Sequence, residues 1–150
     1  MKRQVVCLTL ILVLFSFPLI GQTPTPDFDP ALYAVGSLAA GNVYLSYLVL
    51  GTVADGYAQG IYDDVVATSI VSEALFLNSN ADDSLNTLLS TGNLTPEDES
   101  VIQRIRGVYQ LLTNQGEALI RFISDPNDTG ELFQRSRELA WNEISLLLGF

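Results

Sequence analysis

The sequence predicts an all-α protein, an antiparallel up-down-up-down four-helix bundle preceded by a cleaved N-terminal signal peptide, and three observations carry that expectation. Apolar residues recur every three or four positions over long stretches, and no stretch of useful length alternates as a half-buried strand would. Asp29-Pro30 and Thr95-Pro96 each join a side chain able to accept from the first free N–H groups to a proline in the first turn, where its missing N–H costs nothing. The connections between helical stretches are short, so neighbouring helices must double back on one another. A three-helix fold with a broken second helix is the nearest competitor. With 150 residues, 48% of them apolar, the chain can fill one core but not two.

Residues 1–21 have the three parts of an export signal: Lys2 and Arg3, an apolar stretch from Val5 to Phe17, then Pro18-Leu19-Ile20-Gly21 ahead of Gln22. The apolar stretch is shorter than the roughly 20 residues a helix needs to cross a bilayer, so cleavage after Gly21 is expected rather than anchoring. Residues 22–30, with three prolines, read as an extended leader, and residues 31–150 as a single helical-bundle domain. After cleavage five arginines face 17 acids, a balance of −12, and neither lysine nor cysteine remains. An exported domain without disulfides rests on its core alone, which suits a periplasmic or secreted location with no stable membrane span.

The helices follow in order. Residues 31–54 carry no charge, and their acidic flanks have no Lys or Arg to anchor a span, so this helix is expected to be the most buried of the bundle. Its stripe Ser37, Gly41, Leu48 and Thr52 is expected to let a neighbouring helix come close. Residues 61–90 repeat through Val66, Ile70, Ala74, Leu77, Ala81, Leu85 and Leu88, with a candidate break at the polar segment 78–83. The third helix opens at Thr95-Pro96-Glu97-Asp98-Glu99 and repeats through Val101, Ile105, Val108, Leu112, Gly116, Leu119 and Ile123. Asp125-Pro126 ends it, and Asp128-Thr129-Gly130-Glu131 has capping-box spacing for a fourth helix running to Leu148.

Composition removes several function classes. There is no histidine, and Cys7 lies in the expected leader, which excludes imidazole-based acid–base catalysis, Ser-His-Asp and Cys-His nucleophiles and His/Cys metal sites. A negative balance of this size excludes a grip on nucleic-acid phosphates. The paired carboxylates Asp63-Asp64, Asp82-Asp83 and Glu97-Asp98-Glu99 fall where turns and helix starts favour acids, so neither catalytic residues nor a cofactor are expected.

A few polar residues stand out against this background. Arg137 interrupts the apolar face formed by Phe133, Ala140, Ile144 and Leu147, and Glu73 falls between Val66, Ile70 and Leu77. The two fit a buried ion pair, or an interior site where the guanidinium awaits an anionic ligand. Tyr44, Tyr47, Tyr57 and Trp141 are candidate pocket aromatics. Asp125, Asn127 and Thr129 match the first half of a calcium loop, but Ser136 stands where the bidentate glutamate is required, so no metal is expected. The function expected is non-catalytic: a binding or structural role in the cell envelope, with an acidic surface offered to a protein partner or to a second copy. The alternative is a carrier or sensor of a small apolar or anionic ligand in the bundle interior.

Overall fold

The computed structural model describes residues 29–150; the expected signal peptide and most of the leader lie outside those residues. The described residues are all-helical, with four helices and no strand: α1 Pro30–Ala58, α2 Asp64–Ser90, α3 Pro96–Ser124 and α4 Glu131–Leu148. Helix starts follow the local chemistry read from the sequence. The Asp29 carboxylate accepts from the N–H groups of Ala31 and Leu32, and Thr95 from that of Asp98; α2 starts three residues later than position 61, where Asp63 accepts from the N–H of Val66.

Other boundaries moved for tertiary reasons. α1 continues through Asp55-Gly56 to Ala58, because the bare Cα of Gly56 lets the Tyr62 ring lie against it; a Cβ there would come within 2.5 Å of that ring. The chain turns instead at Gly60, whose φ of +69° is the left-handed region that suits glycine. α2 runs unbroken through 78–83, where Asn78 accepts from Ser46 and Asp82 binds Arg106 in a two-pronged ion pair of 2.7 and 3.2 Å. α4 has no side-chain cap. Gly130 is its left-handed N-cap at φ +74°, and Asp128 accepts from the Gly130 N–H, one position ahead of the expected capping box.

α1 and α3 each touch all three other helices, whereas α2 and α4 touch only those two. Two tyrosine hydroxyls bridge the close pair, Tyr109 donating to the Ala39 carbonyl and Tyr57 to the Ile123 carbonyl, each at 3.3 Å. Surrounded on three sides, α3 contributes more buried residues than any other helix, Ile102, Ile105, Val108, Leu112, Leu119 and Ile123 among them. Its stripe is the expected one except at its start, where Ile102 is buried and Val101 exposed. In α2 the expected Ala74 and Leu85 are buried and Ile70, Ala81 and Leu88 pack against the core, but Val66 and Leu77 are exposed and their neighbours Ala67 and Asn78 face inward, with Val71 beside them.

The expectation that residues 31–54 form the most buried helix is overturned. Only 22% of the most apolar 18 residues of α1 are buried, and Ser37, Gly41, Leu48 and Thr52 all lie on its exposed side rather than against a neighbour. The close approach in the bundle uses different glycines: Gly51 lies against the Arg137 guanidinium, and Gly116 against Leu75.

The space around each glycine gives opposite expectations for alanine. A Cβ at Gly116 would sit 2.6 Å from Leu75 Cδ2, so Gly116→Ala should lower stability by about 1–3 kcal/mol. Nothing lies within 4 Å of a Cβ at Gly107 in the same helix, so Gly107→Ala should raise it by about 0.5–1 kcal/mol. Urea denaturation followed by circular dichroism measures both.

Candidate functional site

The structure separates Arg137 from Glu73. They sit on α4 and α2, the two helices that do not touch, so the ion pair expected between them is not formed. Arg137 lies along α1 instead, with one guanidinium nitrogen 3.7 Å from the Asp55 carboxylate and its flat face against Gly51. Asp55 is 63% exposed, which makes this a solvent-screened contact. Glu73 is exposed and lines a groove between α1 and α2.

That groove encloses about 520 Å³. Asn42 and Ser46 supply its polar lining, Glu73 a carboxylate, and Leu45, Val49 and Leu77 its apolar rims. Beneath it the Ser46 hydroxyl donates to Asn78 Oδ1 at 2.7 Å, and Asn78 is fully buried with its Nδ2 unpaired. Gln115 on α3 is likewise fully buried, and neither of its amide atoms has a partner. Nothing in the sequence reading singled out these two amides. The available signal was spacing: Asn78 follows Ala74 by four positions and precedes Leu85 by seven, on the face that is buried. A second open groove, of about 460 Å³, lies between the start of α1 and the start of α3, with Asp29 and Asp98 among its walls.

Of the four candidate aromatics, three meet on one surface. Tyr47 tilts against Trp141 with ring centres 5.4 Å apart, Trp141 stacks on Phe150 at 6.2 Å, and Tyr44 meets Phe150 edge-on at 5.9 Å. They fill the α1–α4 boundary against one another and line neither groove. Tyr57 stands apart, edge-on to Phe122. Burial, then the nearby Asp64 carboxylate, pushes its hydroxyl above the ordinary tyrosine range. Burial does the same for Tyr109.

The half-motif at 125–129 is consumed by the chain's own turn. Asp125 accepts from the backbone and side-chain N–H groups of Asn127, and Asp128 pairs with Arg121 at 3.2 Å. Thr129 stands in the same short connection, between α3 and α4. Among the described residues no group of three or more His, Cys, Asp or Glu side chains is placed to hold a metal ion.

Between the groove and the aromatic boundary runs the outward face of α1. Leu38 is 75% exposed and Leu45 61%; Leu48, Val49 and Thr52 are also exposed, and nothing lies within 4 Å of a Cβ at Gly41. No charge interrupts this face from Ala31 to Ala54. α1 is the one helix among the described residues long and apolar enough to cross a membrane, by length and composition alone. No protein-family model, curated protein or solved structure matches the chain.

Two substitutions separate these environments. Arg137→Met keeps the stem packed on α1 and releases only an exposed carboxylate, so stability should change by less than about 1 kcal/mol, against several for a broken buried pair. Gln115→Met keeps the side chain's length and removes two unpaired buried atoms, which should raise stability by about 1–2 kcal/mol. Thermal unfolding of both variants provides the comparison.

Proposed function

We propose that this chain is an exported, non-catalytic binding protein of the cell envelope, periplasmic or secreted, whose protein partner docks on the outward face of α1. The observation that carries this reading is the exposed, charge-free run of Leu38, Gly41, Leu45 and Leu48 on a chain whose formal charge is −10. Exposed apolar patches of this kind mark interaction surfaces far more often than they decorate monomers. The acidic residues Asp29, Asp55, Asp63 and Asp64 stand at the two ends of that face, an acidic border around an apolar centre.

The export signal at residues 1–21 supports the location, and the lack of histidine supports a non-catalytic role. An antiparallel up-down-up-down arrangement is supported by the order of cross-helix contacts. Ala39 and Tyr57 of α1 reach Tyr109 and Ile123 of α3 in the same order, while Tyr44, Tyr47 and Gly51 reach Phe150, Trp141 and Arg137 in reverse order. A second reading, a small amphipathic molecule, is favoured by the α1–α2 groove, where Asn42, Ser46 and Glu73 lie under apolar rims.

A photo-activatable residue placed at Leu45 or Leu48 in the producing cell tests the docking face. Illumination should give covalent protein adducts from both positions and none from Gln110, exposed on α3. Equal yields from all three positions, or none from Leu45 and Leu48, would overturn the reading.

A further inference from the structure

The outward face of α1 carries a spacing that suits a second copy of itself. Ala34, Leu38, Gly41, Leu45, Leu48 and Thr52 are spaced alternately by four and three positions, the repeat that keeps one helix seam against another. The six are also arranged symmetrically about position 43. If a second α1 is laid antiparallel with a two-fold axis beside Val43, Gly41 meets Leu45, Leu38 meets Leu48, and Ala34 meets Thr52. The small residue falls opposite the large one in the central layer, and the bare Cα of Gly41 leaves a hollow that a leucine can enter. We infer that two copies of this chain associate through antiparallel packing of α1 on α1. The inference rests on the docking reading of the same face and goes beyond it in naming the occupant.

Charge and area support this occupant. The seam carries no ionised side chain, so two strongly acidic copies bury no like charges when they meet there. In a parallel pair Asp29 would face Asp29 and Asp55 would face Asp55; the antiparallel pair sets Asp29 near Tyr57 and Asp55 near Ala31, and opposes the helix dipoles favourably. No Lys or Arg borders the seam to meet anionic headgroups, which speaks against a lipid surface as the occupant. A helix of 29 residues is about 43 Å long, and one helix-on-helix contact along it covers on the order of 500 Å² per copy, short of the roughly 800 Å² typical of a stable interface. Leu77 on one flank and Trp141 and Phe150 on the other are exposed beside the seam, and can supply the remainder.

The test uses the purified chain and two readouts. Sedimentation should give twice the mass of one chain at protein concentrations of about 100 μM, and Leu45→Glu, at an exposed position, should return it to one chain mass with unchanged helix content, raising the dissociation constant at least ~100-fold. In a Cys7→Ser background, mixing Leu38→Cys protein with Leu48→Cys protein should give a disulfide-linked pair of the two, with little linkage of either to itself. A single chain mass at that concentration, or a dimer that survives Leu45→Glu, overturns self-association. Preferential linkage of Leu38→Cys to itself overturns the antiparallel arrangement. Binding to neutral phosphatidylcholine vesicles by a chain that stays monomeric overturns the proposal in favour of lipid. A monomeric chain that still gives adducts of another mass from Leu45 in the cell loses its second copy as partner and keeps its docking face.

Discussion

The two diagonals of a four-helix arrangement cannot both be short, and in this chain the short one joins α1 to α3. Much else follows from that constraint. Tyr109 and Tyr57 reach across it to main-chain carbonyls, so two large side chains are spent holding the diagonal closed. α3, with neighbours on three sides, becomes the true interior helix although it carries more charge than α1. α2 and α4 are held apart, and groups on them must find other partners: Arg137 turns to Asp55 on α1, and Asp82 to Arg106 on α3.

How much was legible in the sequence depends on how local the cause was. Asp29 and Thr95 cap their helices using donors within three residues, so a short window contains all the physics. The stripe of α3 was readable because its opposite face is charged, leaving one orientation possible. α2 was misread at Leu77, where Asn78 takes the inward place, because the burial of Asn78 depends on a hydroxyl 32 residues earlier in the chain. α1 was misread for the opposite reason: with apolar residues on every side, its sequence does not say which side is inside. The Arg137–Glu73 pairing failed on topology, since no local pattern reports which diagonal closes.

Leaving leucines in water on α1 forgoes stabilisation of roughly 1.5–3 kcal/mol for each side chain that could have been buried. Such a face also invites unwanted association. The charge elsewhere is the counterweight: a formal balance of −10 opposes unspecific association of one copy with another. If copies meet as proposed, acidity and the apolar face act together, with repulsion over most of the surface leaving one place of contact.

The Ser46–Asn78 hydrogen bond also acts as a pawl. Apolar side chains interlock at intervals, so a helix packed by leucines and valines alone has other resting places one turn up or down its neighbour, about 5.4 Å away. A slide of α1 along α2 by that distance would tear Ser46 from Asn78 and leave the buried Asn78 oxygen without its donor. That short hydrogen bond, together with the two tyrosine bonds to α3, sets the height of α1 within the bundle, and with it the level at which Leu45 stands beside Leu77 on one flank while Tyr47 stands beside Trp141 on the other.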